Sequence, residues 1–528
     1  MRAYAGAAPA SVLVVAAVVR AIAMVLSRGS VIDMDGTEYV RVAQNVAAGH
    51  GPIGMRGVPM LIFPPLFSWL IAGFIRLGID AQTAALGIVF VAGVAFAGVL
   101  YTLGTTLYGH RAGLYAGLIA AVLPACVSTS TTIIAEAPFS VCAAAGVLAL
   151  LHAVRRPSLR IAALCGSVFG IAYLFRPEGL LFAATAFAIV LVTTIARRRH
   201  VGAAVVLAAC AAVATIPALI NTYEATGRAT LEGKSSINFH LGAGLRTGAP
   251  YLAVADAVDG AGHPVGPEID PRFYSARQPP PRVPAGEALG LIAGAAIRHV
   301  RDVVAAFASR EYGFGLLALA AAAGLAAGPW SRSRFGDELV LIAYVVAAYV
   351  ALAGVWHFWP RYAAIFLPAA ICWAARGVAV FGRFRVRMLP DAGLVLLSVL
   401  LLGSLAVDVA DARENGPALE RVAGAWIGAH RRDAFVMDVG SQAAFYAGGT
   451  WWPMPYGDEG AAARFITSLH PAYVIVDSSR ANDFPPLRHW FERGIPPAFA
   501  ERANAVSSGG RTMTIYRWRG TPPGVARR

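Results

Sequence analysis

Residues 83–108 read TAALGIVFVAGVAFAGVLYTLGTTLY, without one charged side chain. An apolar run of about 20 residues is long enough to cross the hydrocarbon core of a bilayer as a helix. Runs of the same kind recur at 10–27, 112–128, 137–153, 161–175, 179–196, 201–220, 312–328, 338–356, 362–380 and 391–410. The sequence therefore predicts an α-helical polytopic membrane protein with about eleven transmembrane helices. Composition agrees: of 528 residues, 57% are hydrophobic and 14% charged, and the mean hydropathy is +0.60. Soluble proteins carry roughly 25% charged residues, so an ordinary soluble enzyme is excluded, and so is disorder.

The net charge is +14, and Lys234 is the only lysine. Arg111, then Arg155, Arg156 and Arg160, then Arg197, Arg198 and Arg199, then Arg332 and Arg334, then Arg383, Arg385 and Arg387 fall in every second loop. Positive loops face the cytoplasm. The N-terminus is then cytoplasmic and, with an odd number of spans, the C-terminus lies outside. The basic excess is thus spent on topology, which leaves no case for nucleic acid as a partner and implies a plasma (inner) membrane protein. Ala21-Ile22-Ala23 resembles a signal-peptide cleavage site. The n-region, however, holds only Arg2 and the apolar run is long, so the segment reads as an uncleaved anchor. All five cysteines lie in or beside apolar runs, with neither a disulfide framework nor zinc spacing.

Three polar stretches face outward on this topology: 28–60, 221–309 and 411–528. The second carries a proline-rich run from Gln278 to Pro284 and an amphipathic stretch to Ser309. In the tail, 419–430 and 461–469 read as helices, and 434–438, 472–477 and 512–518 as strands, which is a small extracytoplasmic α/β domain. The chain divides into 1–410, the membrane part, and 411–528. No internal repeat of the kind many transporters show is visible.

Candidate chemistry gathers at the outer boundaries. Asp33-Met34-Asp35-Gly36-Thr37-Glu38-Tyr39 follows the first span, and Tyr39, Val42, Ala43 and Val46 have helical spacing. Asp35 and Glu38 also have the spacing of a capping box, so Asp35 reads equally well as a helix cap and as a catalytic carboxylate. Asp33 and Asp35 are in addition a weak divalent-cation signal, the one cofactor the sequence allows. Pro59 to Trp69, with paired prolines, reads as an interfacial hairpin. Glu136 lies at a span boundary, where a carboxylate is costly. Arg176, in Arg176-Pro177-Glu178, breaks the inner-side arginine pattern. Lys234, Asn238 and His240 stand among Gly233, Gly242, Gly244 and Gly248, as in a glycine-rich phosphate cradle. Arg361 and Tyr362 close an aromatic stretch at a third boundary.

Together, carboxylates at 33, 35 and 136 and cations at 176, 234 and 361 supply an acid–base group beside phosphate-binding charge, as glycosyl transfer from a lipid phosphate requires. The chain resembles the GT-C membrane glycosyltransferases, in particular the bacterial protein O-mannosyltransferase and aminoarabinose transferase branch. The resemblance covers about 9–380. It rests on Asp35, Tyr39 and Ala43 as D-x-x-x-Y-x-x-x-A, on Pro64 to Trp69, and on Glu136 to Pro138 as E-x-P. Arg176 to Glu178 as R-P-E, Arg361-Tyr362 before Pro368, and the Asn/Gly-rich Asn238 to Gly248 complete it. It implies an inverting transfer from a polyprenyl-phosphate sugar to a lipid, glycan or protein acceptor. Asp35 would be the base, helped by Asp33 and Glu136, with Arg176, Lys234, Asn238, His240, Arg361 and Tyr362 on the substrate. Relatives often have Asp-Glu where this chain has Asp35-Gly36, and aminoarabinose transferases a lysine where Pro64 stands. The rival readings are a polymerase or ligase using a lipid-diphosphate donor, which would not need Asp35, and a transporter or flippase.

Overall fold

The structure, a computed structural model, describes residues 7–28, 30–198, 200–227, 230–231, 233–274, 283–381, 392–414 and 418–520. Most of the proline-rich run, with Arg199, Arg383, Arg385 and Arg387, lies outside them.

Seven helices among the described residues are long and apolar enough to cross a membrane: Pro9–Leu26, Ala81–Tyr108, Glu136–Arg155, Glu178–Ala196, Gly202–Ala225, Arg332–Ala353 and Pro360–Val380. Leu66–Arg76, Leu159–Phe175, Leu316–Ala326 and Val395–Ala406 are shorter apolar helices. The chain is a multi-pass membrane protein. Small residues let its helices touch backbone to backbone. A Cβ on Gly324 would sit 1.9 Å from the Trp373 carbonyl oxygen, and one on Gly377 would sit 2.1 Å from that of Ala320.

The expected span over 112–128 is broken. Helix His110–Val122 ends before Pro124, which opens the separate helix Pro124–Thr129. Proline has no N–H and pushes the preceding residue out of helix geometry; Leu123 is extended, with ψ 126°. A buried arginine from the first helix repairs the break. Arg20, fully buried on the first helix, donates to the carbonyls of Ala120, Ala121 and Cys126 at 3.1, 3.1 and 3.3 Å, and its Nε donates to Ser130 Oγ at 2.7 Å. Replacing Arg20 by Met should destabilise the fold by about 2–5 kcal/mol, because those acceptors lose their donors away from water. Thermal unfolding in detergent measures this.

Arginines of alternate loops gather at one end of the bundle. Arg155 pairs with Asp337 at 2.6 Å, Arg334 with Glu338 at 3.2 Å, and Arg197 donates to the Val154 carbonyl at 2.6 Å. Glu136 begins the helix that Arg155 ends, so the two ends lie about 30 Å apart at 1.5 Å per residue.

The C-terminal part is a small α/β domain with strands β1 (Phe435–Asp438), β2 (Thr450–Pro453), β3 (Tyr473–Asp477), β4 (Ala500–Ser508) and β5 (Arg511–Trp518). The sheet order is β2-β1-β3-β5-β4. The pairs β1–β2 and β1–β3 are parallel, while β3–β5 and β4–β5 are antiparallel. Helix Glu459–Leu469 makes the crossover from β2 to β3. This domain seats on the segment after the first span: Thr37 Oγ1 and Ser441 Oγ are 2.6 Å apart, Arg41 donates to the Gly448 carbonyl at 3.1 Å, and Trp451 N–H to that of Met55 at 2.8 Å.

Candidate active site

Asp33, not Asp35, caps the helix Met34–Ala47. Its backbone is extended and its Oδ1 accepts from the Asp35 N–H at 2.9 Å. The expected capping box is therefore shifted. Glu38 does not reach back to the cap; it turns inward, 8% exposed, and accepts from the Met55 N–H at 2.8 Å. One carboxylate takes the capping duty and leaves Asp35 available for another. The next residue fixes where Asp35 stands. A Cβ on Gly36 would meet Ile32 Cγ1 at 2.9 Å and the Ile133 carbonyl oxygen at 3.0 Å. The helix thus lies against the backbone that leads into Glu136, and even a Cβ at position 36 crowds it. A Gly36→Val variant should push the two segments apart and lower turnover at least tenfold, a result that a transfer assay on folded protein would check.

The charged residues form one chain. Arg361, in the 3₁₀ turn Pro360–Phe366, donates to Asp35 Oδ2; its guanidinium lies 3.8 Å from Glu136 Oε1 and 3.9 Å from Asp33 Oδ1. Arg176 follows helix Leu159–Phe175 in extended backbone and pairs with Glu136 at 2.7 Å and Glu178 at 2.8 Å. The Tyr362 ring is about equally near both arginines, at 5.7 Å from Arg176 and 5.9 Å from Arg361. Burial and the neighbouring Asp35 raise the Asp33 carboxyl above its ordinary range, with Arg361 opposing them.

Asp33, Asp35, Arg361 and Tyr362 line a cavity of about 940 Å³, which also reaches Lys234 and Asn238 and, across it, Asp438 and Asp477 of the C-terminal sheet. Pockets for small molecules span about 300–1,000 Å³. Glu136 and Arg176 are not on its wall. They stand behind Arg361 and brace it, so Arg176 serves Glu136 and Glu178 first.

The fold is that of the GT-C glycosyltransferases. The chain superposes on ArnT from Cupriavidus metallidurans bound to undecaprenyl phosphate with a TM-score of 0.58 at 13% identity, covering 96% of this chain and 97% of that one. Its apo state gives 0.55 at 14% identity, over 96% and 98% of the two chains. The apo oligosaccharyltransferase of Archaeoglobus fulgidus gives 0.52 at 14%, over 98% of this chain and 75% of that one. The sequence pattern of dolichyl-phosphate-mannose-protein mannosyltransferase matches residues 63–220. No curated protein sequence matches the chain.

Within this GT-C fold two sequence expectations change. The glycine-rich cradle is a helix, Ser235–Leu245, whose glycines serve packing: a Cβ on Gly242 would lie 3.1 Å from Trp356, and one on Gly244 would lie 2.3 Å from Val254. His240 points away from the cavity, its Nδ1 2.8 Å from the Ser236 carbonyl oxygen and its ring edge-on to Phe273. A divalent cation fits the Asp33/Asp35 pair poorly. The Arg361 guanidinium occupies the space between the carboxylates, and no group of three or more candidate ligands occurs among the described residues. Sequence reasoning also missed Arg56, Asp256, Glu268 and Trp451 on the cavity wall. They come from three separate segments, and no local spacing links them.

Proposed function

We propose that this chain transfers a hexose or pentose from a polyprenyl-phosphate donor to an acceptor hydroxyl at the outer face of the plasma (inner) membrane, with inversion at the anomeric carbon. The observation that carries this reading is the Asp35–Arg361 pair on the wall of a large cavity in a GT-C fold. It is supported by the match to dolichyl-phosphate-mannose-protein mannosyltransferase and by the undecaprenyl phosphate held by the similar ArnT. The arginine pattern supports a cytoplasmic N-terminus. On this reading 1–410 is the catalytic part and 411–528 an outer domain, a division supported by Asp438 and Asp477 of the C-terminal sheet lining the same cavity.

In the resting state Arg361 holds Asp35. An incoming donor phosphate competes for that guanidinium, which suits phosphate oxygens as well as carboxylate. Asp35 is then released to take the proton of the acceptor hydroxyl. The acceptor oxygen bonds to the anomeric carbon as the bond from that carbon to the phosphate oxygen breaks. The electron pair leaves on the phosphate, where Arg361 stabilises it. Glu136, paired with Arg176, keeps Arg361 in place.

The test is release of polyprenyl phosphate from synthetic polyprenyl-phosphate sugars by the purified chain in nanodiscs, beside a lipid and glycan comparison of a deletion strain with the wild type. Asp35-dependent release with a missing envelope product is the expected result. No release from any mannosyl, galactosyl or arabinosyl donor, with an unchanged envelope, would overturn the reading.

A further inference from the structure

The amphipathic stretch after the proline-rich run is the helix Ala285–Ala308. It is not among the helices long and apolar enough to cross a membrane, and it carries Glu287, Arg298, Arg301 and Asp302. Two hydrogen bonds fix its level along the bundle. The Tyr349 hydroxyl donates to the Ala296 carbonyl, and His299 Nε2 donates to that of Val355 at 2.6 Å. Tyr349 lies in the last turns of the spanning helix Arg332–Ala353, and Val355 lies just beyond it. The 22 residues of that helix rise about 33 Å, close to the thickness of the hydrocarbon core, so its end marks the membrane boundary. The middle of Ala285–Ala308 therefore lies at that boundary, on the side that carries Arg361.

One face of this helix packs inward through Leu291, Ala295, His299 and Ala306. On the opposite face Leu289, Ile297, Val300 and Val304 are exposed, Ile297 by 78%, at the spacing of one helical stripe. The stripe does not stop at the helix end. Gly315 N–H donates to the Phe307 carbonyl at 3.0 Å, and the chain runs through exposed Phe314 into the apolar helix Leu316–Ala326, where Leu319 is exposed too. The apolar face is thus continuous with the flank of the bundle, which lipid covers. Charge lies along one edge: at 3.6 residues per turn, Arg298 and Arg301 stand side by side next to the stripe. The Arg301 side chain is 84% exposed. Both arginines share the single carboxylate of Asp302, at 3.9 and 3.7 Å, which His299 Nδ1 also reaches at 3.2 Å. One anionic group serves two guanidiniums, which leaves positive charge beside an apolar face. That is the pattern of a helix lying in the plane of an anionic membrane surface.

We propose that helix Ala285–Ala308 is an in-plane docking face for anionic phospholipid. Leu289, Ile297, Val300 and Val304 lie among the acyl chains, and Arg298 and Arg301 bind headgroup phosphates. The inference stands apart from the glycosyltransferase reading, but it bears on the same site. The Trp356 ring packs on Gly294, where a Cβ would meet it at 3.0 Å, and Arg298 lies over that ring at 4.5 Å, while His299 holds Val355. The segment that leads to Arg361 is thereby fastened to the lipid-bound helix, and the membrane surface sets its level.

A bimane fluorophore attached at Ile297→Cys, in the full chain at one chain per nanodisc, tests this. The chain without that substitution gives the background from its own five cysteines. Phosphatidylglycerol or phosphatidylcholine with a doxyl-labelled acyl chain is mixed into the disc as quencher. Both should quench the bimane, phosphatidylglycerol at a several-fold lower mole fraction. Arg298→Gln and Arg301→Gln should each shift the phosphatidylglycerol dependence about fivefold, the weight of one basic residue near an anionic surface, and leave the phosphatidylcholine dependence unchanged. The exposed Arg301 side chain keeps the comparison independent of folding. A bimane that neither lipid quenches overturns the proposal, and so does equal quenching by the two lipids that both variants leave unchanged. In discs loaded with two chains the quenching should persist; protection from both lipids there would make the face an interface between copies and overturn the proposal as well.

Discussion

Asp35→Asn is expected to lower turnover by a factor of 10²–10⁴, the usual contribution of a positioned general base. The protein should stay folded, because the helix cap belongs to Asp33 and the burial of Met34–Ala47 depends on Tyr39, Val40, Val42 and Ala43. Affinity for undecaprenyl phosphate should hold or rise, since Arg361 loses the carboxylate that competes with phosphate. A rate assay beside a binding titration reads both effects. Full activity in the variant would remove Asp35 from the mechanism and favour a lipid-diphosphate polymerase or ligase.

Arg361→Gln should give the opposite signature. On the proposed mechanism, loss of the charge would take away the phosphate partner, so donor affinity should fall and turnover drop by about 10²–10³, as when an electrostatic stabiliser of a leaving or developing anion is deleted. Arg361→Lys should recover part of this, since the charge stays while the planar fork that reaches Asp35 and Glu136 together is lost. A donor titration that separates kcat from KM distinguishes this from a folding defect. An Arg361→Gln chain with unchanged donor affinity would mean that phosphate is held elsewhere.

The membrane architecture was legible because hydrocarbon thickness imposes one length on every span, and runs such as 83–108 show it directly. Where a span breaks, as at Pro124, the run stays apolar and length alone does not betray the break. Asp33, Asp35, Glu136, Arg176 and Arg361 were visible as charges at span boundaries, where an ionised group is unusual. Their order in space was not: that Arg361 clasps Asp35 while Arg176 stands behind Glu136 depends on close approaches such as the one Gly36 permits. The helix Ser235–Leu245 was hidden by its own glycines, which mimic a loop in sequence and serve as packing surface in the fold.

Arg20 also bears on how the chain is made. It and Ser130 are 110 residues apart. At about 5–20 residues per second, the partner segment follows the first helix by roughly 5–20 s. Until then that helix carries an arginine which costs about 2.5–3.5 kcal/mol near the bilayer centre on insertion scales. The first span is thus provisional when it leaves the ribosome, and its placement becomes permanent only when the region around Pro124 arrives to receive it.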